Sequence, residues 1–219
     1  MITYEQLRKN EDIRALIKRA DESLITLGYT EHSFAHVTRV AETAGEILTV
    51  LGYDAHDVEL VKIAGYLHDI GNLVNRIEHS QSGAVMAFTL LTKTDMDIND
   101  IATVTTAIGN HDEGTGVPVN PIAAALILAD KSDVRRTRVR NTDFATFDIH
   151  DRVNYSVEGS TVTIDAEKKT ITLMLKIDTN YGSLMDYFEI FLERMLLCRR
   201  AAETLGMTFR LIANDQVLL

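Results

Sequence analysis

The 219-residue chain has no tryptophan, two prolines and a single cysteine, Cys198. One cysteine excludes an internal disulfide framework and fits a reducing compartment. So few prolines, with no low-complexity tract, argue against disorder. Long apolar runs are also missing. The strongest, Ile122 to Ala129, falls far short of the ~20 residues that span a bilayer. The opening stretch MITYEQLRKNEDIR is too polar for a secretory signal. The expectation is a cytoplasmic chain with no membrane partner. Positive charge is in deficit too: 22 Lys and Arg stand against 32 Asp and Glu, a net charge of −10. Such a surface disfavours nucleic-acid polymers and anionic membranes. A phosphate-bearing substrate would have to be received locally, by metal ions or a few arginines.

Apolar residues, at 46%, suffice for a real core, and the length suggests one domain with a small appendage. Residues 1–150 read as almost entirely helical. Ile13, Leu16, Ile17, Ala20, Leu24 and Leu27 recur at helical spacing, with Asn10 able to cap and Gly28 able to end the helix. A second stripe, Val37 to Leu51, stops at Gly52. Further helices are expected over about 55–69, 80–93 and 98–109, and from Pro121 through Lys131. A Gly- and Pro-containing loop spans 109–120.

After about residue 150 the period changes. Val153, Tyr155 and Val157 alternate, then Val162 and Ile164, then Ile171, Leu173, Leu175 and Ile177. Gly159 and residues 166–169 suggest hairpin turns. Leu184, Phe188, Phe191, Met195, Cys198, Ala202 and Leu205 then step by four and three along one helix. A short strand over 209–212 follows. The expectation is a helical domain over 1–150 and a small subdomain over 151–219, an antiparallel sheet plus one helix.

Chemistry concentrates in the helical part. His68 and Asp69 end the third stripe, His36 lies on the second one turn past His32, and Asp130 lies on the helix after Pro121. His79 falls just before one helix and His111 just after another, whereas His56 and His150 stand in polar, loop-like surroundings. Singly, each has an ordinary structural role: a hydrogen-bonded core histidine, a helix cap, a loop residue. Together they offer imidazole and carboxylate donors suited to Mn, Fe, Co, Ni or Zn, and with water to Mg. Neither CxxC nor HExxH occurs, so zinc-finger and zincin patterns are excluded.

The order His36, His68-Asp69, Asp130, in the contexts HVTRVAETA, AGYLHDIGN and LILADKSD, resembles the HD superfamily of metal-dependent phosphohydrolases over about residues 30–140. The segment AIGNHDEGTGVP is similar to the loop of two subgroups. These are the HD-GYP cyclic-dinucleotide phosphodiesterases, whose triplet reads GVP here, and small bacterial HD proteins that cleave diadenosine tetraphosphate. The resemblance implies a mainly α HD-domain helical bundle, with the tail as its small C-terminal α+β segment. It implies one divalent metal on His36, His68, Asp69 and Asp130. A second metal would rest on His79 and His111 with Asp69 bridging, Fe or Mn being favoured over Co, Ni, Zn and Mg.

The reaction implied is hydrolysis of a phosphoester or phosphoanhydride of a nucleotide or another small phosphorylated metabolite, with Asp69 and His68 at its centre. The alternative is a regulatory HD protein that binds metal and ligand without turnover. Asp112, Glu113 and Asp133 are candidates to orient the histidines. Lys131, Arg135 and Arg136 are candidates to meet substrate phosphate, a basic run that would serve equally as a solvated helix end. His32 and Asn72 are further candidates for the substrate. A homodimer built through the C-terminal sheet and helix is a further expectation.

Overall fold

A computed structural model describes residues 2–219. A capping box opens the chain: Thr3 accepts from the Gln6 amide while the Gln6 side chain accepts from Thr3, starting α1 (Tyr4–Lys9). The sequence reading leaves this helix unassigned, although Thr-x-x-Gln is its signature. Next come α2 (Glu11–Thr26), capped by Asn10, and α3 (Phe34–Val50), capped by Ser33. Gly28 and Gly52 follow these two helices with φ of 79° and 81°, the left-handed conformation that glycine adopts at no steric cost. Then follow α4 (Ala55–Leu67), α5 (His79–Leu91), α6 (Ile98–Gly109) and α7 (Pro121–Ser132), the last with proline in its first turn and an Asn120 cap. Every residue of α7 from Ile122 to Ser132 is buried. It is the central rod of the bundle, which explains its nearly continuous apolar sequence.

The expected alternation at Val153, Tyr155 and Val157 is not a strand. Residues Ile149–Ser156 form α8, because the Asp148 side chain caps the Asp151 amide and Val153 turns inward. The strand begins only at Val157, and residue 150 falls inside α8. Likewise, Gly159 is not a turn. It sits within β1 (Val157–Asp165), where the register with β2 (Thr170–Ile177) slips. The turn over 166–169 does join the two strands.

The sheet is also not purely antiparallel. α9 (Leu184–Thr204) carries the chain back across, so β3 (Thr208–Ala213) pairs with β2 in parallel. A helical crossover of that length is what parallel neighbours require. β4 (Gln216–Val217) completes the order β1-β2-β3-β4. The protein is thus mainly α, with a small C-terminal mixed sheet.

The tail and the bundle share one core. Tyr187, Phe191, Met195, Cys198 and Ala202 of α9 are buried in the same apolar cluster as α3, α4 and α7. Ser160 on β1 donates to the Ser132 carbonyl at the end of α7, and Arg39 of α3 donates to the Ser160 carbonyl. Among the described residues, no helix is long and apolar enough to cross a membrane.

Candidate metal centre

α4 ends at Leu67. His68 keeps helical angles as its cap, Asp69 leaves them (φ −93°, ψ 2°), and a short 3-10 turn follows over Ile70–Leu73. Two close approaches fix this corner. A Cβ on Gly65 would stand 2.7 Å from the Ala41 Cα, so α4 lies directly on α3 and His68 comes beside His36. A Cβ on Gly71 would stand 2.0 Å from the His79 carbonyl oxygen and 2.4 Å from the Gly83 nitrogen. The turn therefore presses on the start of α5, which brings His79 against Asp69. The bend at Glu78, with φ 57°, lets the chain enter α5 at that spot.

Each histidine has one ring nitrogen committed. His36 Nδ1 is 2.8 Å from Asp133 Oδ2, and His68 Nδ1 is 2.7 Å from the Gly65 carbonyl. His79 Nδ1 lies 3.0 Å from the Arg76 carbonyl, and His111 Nδ1 lies 2.6 Å from the Ile108 carbonyl. These oxygens can only accept, so Nδ1 carries the proton and Nε2 is left with its lone pair. All four Nε2 atoms point into one space. Asp133 takes the orienting role expected of it. Asp112 and Glu113 do not, because backbone carbonyls already hold the remaining rings.

Around His36 and His68 the donors close up. His36 Nε2 is 3.4 Å from Asp69 Oδ2 and 3.3 Å from Asp130 Oδ1, while His68 Nε2 is 3.3 and 3.6 Å from the same two oxygens. His36 Nε2, His68 Nε2 and Asp69 Oδ2 are buried with no hydrogen-bond partner among the described residues. Orphaned buried polar atoms are costly unless something binds them. Donors at about 2.0–2.1 Å around a tetrahedral ion stand roughly 3.3–3.4 Å apart, close to these four His–Asp separations; His36, His68 and Asp130 form one group able to hold a cation, and His68, Asp69 and His111 form another.

A second set adjoins the first. Asp69 turns its other oxygen, Oδ1, toward His79 Nε2 at 3.5 Å, and His79 Nε2 lies 3.2 Å from His111 Nε2. Two lone pairs facing each other at that distance also call for a positive charge. In this structure Arg76 Nη1 is 3.3 Å from His79 Nε2.

The electrostatics agree. Burial alone would raise the Asp69 and Asp130 carboxyls, but neighbouring positive groups hold both well below the ordinary range: His68 for Asp69, and Lys131 with His36 and His68 for Asp130. Burial would lower His68, yet the carboxylates of Asp69 and Asp130 push it up to about 10, and His36 is raised in the same way by Asp130, Asp133 and Asp69. The two carboxylates thus favour positive charge on the imidazoles between them. Burial keeps His32, His79 and His111 low, as neutral donors.

A cavity of about 410 Å³ opens onto this floor, bordered by His32, Asp69, His79, Asp130 and Lys131. His32 is tied by its Nδ1 to the Thr30 carbonyl at 2.7 Å, with its ring 5.6 Å from that of His36. Lys131 reaches the cavity but is closely paired, 2.7 Å from Asp130 Oδ2 and 2.7 Å from Glu113 Oε2. Two expected substrate contacts lie elsewhere. Asn72 is buried beneath Asp69 and donates to its Oδ1 at 2.9 Å, so it steadies the carboxylate rather than meeting a ligand. Arg135 is not on the cavity wall, since it bridges Asp133 and Glu31 at 3.0 Å each. Arg136 instead lies over the Tyr155 and Tyr181 rings.

The arginines that do border the cavity are Arg76, Arg138 and Arg194, and the sequence reading singles out none of them. Arg138 lies in the same basic run as Arg135, whose backbone path no periodicity reveals. Arg194 flanks the apolar stripe of α9, a signal of a half-buried charge. His150, read as a loop residue, lies on α8 at the cavity rim. His56 is on α4, paired with Asp100 at 2.8 Å and away from the centre.

Residues 33–135 match the model of the HD domain family. The uncharacterized protein MJ1020 of Methanocaldococcus jannaschii is 26% identical over 203 residues, covering 82% of this chain and 77% of that protein. The crystal structure of a predicted HD superfamily hydrolase from an uncultured Thermotogales bacterium has 28% sequence identity. It covers 57% of this chain and 67% of its own, with a TM-score of 0.45. The chain carries an HD domain.

Proposed function

We propose that this HD-domain protein is a metal-dependent phosphohydrolase that cleaves a phosphoester or phosphoanhydride of a nucleotide or other small phosphorylated metabolite. One observation carries the reading. Nitrogen and oxygen donors of His36, His68, Asp69 and Asp130, the first three without a hydrogen-bond partner among the described residues, converge beneath a cavity whose walls bear Arg76, Lys131, Arg138 and Arg194. Donors of this type suit a divalent transition metal, with Fe or Mn favoured. His36, His68, Asp69 and Asp130 would hold one ion, and Asp69 with His79 and His111 a second. A bound ion of this kind supplies Lewis acidity and lowers the pKa of its water from 15.7 toward about 7.

The chain's own groups do the rest. Asp133 and three backbone carbonyls fix the imidazoles, and Asn72 fixes Asp69. Lys131 neutralises the outer oxygen of Asp130. The arginines offset phosphate charge in a protein whose net charge is otherwise strongly negative. The walls enclose a volume suited to one small molecule, not to a polymer. A homodimer formed through the C-terminal unit is a separate proposal, which light scattering on a sizing column decides.

The test is a screen of phosphorylated metabolites with Mn, Fe, Co, Ni and Mg in turn, reading released phosphate. Turnover with at least one metal, abolished by chelation, is expected. Tight ligand binding without turnover under every metal would point instead to a non-catalytic regulator.

A further inference from the structure

Arg138 and Arg194 come from different parts of the chain. Arg138 follows α7, and the residue is 5% exposed. Its Nε donates to the Glu31 carbonyl at 2.9 Å and its Nη1 to the Asp133 carbonyl at 2.7 Å. No described residue engages Nη2, although Arg138 borders the cavity. A guanidinium that is this deeply buried, with a free N–H edge toward an open space, lacks an acceptor there.

Arg194 stands on α9 and borders the same cavity. Its guanidinium carbon lies 4.4 Å from the centre of the Phe191 ring, and its Nε donates to Glu113 Oε1 at 2.8 Å. Glu113 in turn pairs with Lys131. These contacts lock the plane of the guanidinium and leave Nη1 and Nη2 unengaged by any described residue. Burial, and with it the charge of Arg194, works against the charge of Arg138. Two fixed cations sharing one cavity, each with donor edges unused, form a receptor for an oxyanion.

We propose that Arg138 and Arg194 together clamp the substrate's phosphate, so that the C-terminal helix α9 completes the active site instead of merely covering the bundle. This rests on the phosphohydrolase reading for its substrate class, but anion binding itself can be measured without turnover. The bidentate edge of Arg194 meets two non-bridging phosphate oxygens and the Nη2 of Arg138 a further one. The Arg194–Glu113–Lys131–Asp130 chain holds that edge at a constant position relative to the candidate metal ligands.

The experiment titrates inorganic phosphate into full-length, metal-loaded protein by calorimetry, with metal content and far-UV circular dichroism measured on each sample. Arg194→Gln and Arg138→Gln should each weaken phosphate binding roughly ten- to a hundredfold, as expected for lost charge-assisted hydrogen bonds, with metal content unchanged. Arg194→Lys should recover only part of the affinity, because an ammonium cannot reproduce the fork. The exposed Arg199→Gln on the same helix should bind like wild type. If Arg138→Gln fails to fold, the two Arg194 variants decide. Unchanged phosphate affinity in folded, metal-loaded Arg194→Gln would overturn the clamp, as would a wild-type protein that binds no phosphate. Phosphate binding that follows this pattern, in a protein that hydrolyses no ester, would uphold the clamp and remove the enzymatic reading alone.

Discussion

Gly71→Ala is a single-methyl change aimed at the corner that builds the centre. The added Cβ would lie 2.0 Å from the His79 carbonyl oxygen and 2.4 Å from the Gly83 nitrogen. Both are backbone atoms of α5, so no rotamer change relieves the clash. Ordinary contact requires the turn and α5 to part by roughly 1–1.5 Å. Overpacking costs about 1–3 kcal/mol, occasionally more, and a clash with two backbone atoms places this variant at the upper end. At about 2–4 °C per kcal/mol for a chain of this size, the melting temperature should fall by roughly 6–12 °C. The same shift separates Asp69 from His79, so Mn affinity should drop as well.

Gly109→Ala is the control. Its nearest neighbour is the Ala84 Cβ at 3.5 Å, and loss of unfolded-state freedom should leave it neutral or stabilised by up to about 1 kcal/mol. Differential scanning fluorimetry and Mn titration read both variants. A Gly71→Ala protein that melts within 2 °C of wild type and binds Mn equally would refute the claim that this contact sets the ligand geometry.

Replacing His68 or Asp69 by alanine should abolish metal binding and hydrolysis while the far-UV spectrum stays nearly unchanged, because the backbone turn does not need either side chain; retained activity in metal-verified protein would contradict the assignment. Asp133 joins His36, Arg39 and Arg135, and although burial works to raise its carboxyl, the hydrogen bond and charge of His36 hold it far below the usual range. Its stabilising contribution is therefore complete above an unfolded pKa of ~3.9 and is lost as pH falls below that value. Asp133→Asn should cost about 3–5 kcal/mol at pH 7 and flatten the acid limb of a melting-temperature profile; an unaltered acid limb would count against this role. Ending the chain near residue 150 strips α9 from α7, whose whole surface is otherwise buried, and should give aggregating protein on a sizing column. A soluble truncated chain with unchanged stability would argue against a shared core.

Much of this architecture is legible in the sequence because its signals are local. Asn10, Gly28, Gly52 and Pro121 mark helix ends through capping and φ, and the stripes of α2, α3 and α9 need only a period of 3.6. The floor of the centre is legible because unusual residues sit at helix ends, where the backbone has no use for them. What is not legible depends on distance in the chain. The parallel pairing of β2 with β3 follows from the crossover of α9, not from the alternation in either strand. Val153 and Tyr155 fit a strand pattern until the Asp148 cap tips the segment into a helix. Arg135 and Arg138 share one basic run, and only the fold decides that the first bridges Glu31 and the second borders the cavity. Arg194 reaches the cavity from 64 residues beyond Asp130 in the chain.

The central claim is that these histidines and aspartates form a metal centre, and elemental analysis of purified protein after saturation with Mn or Fe tests it most directly. We expect close to two metals per chain in wild type, falling toward one in His79→Ala and His111→Ala and toward none in Asp69→Ala, whose two oxygens face both sets. Wild-type protein that holds no Mn or Fe at saturation, or that loses none in Asp69→Ala, would contradict the account; a wild-type value fixed at one would remove the second ion.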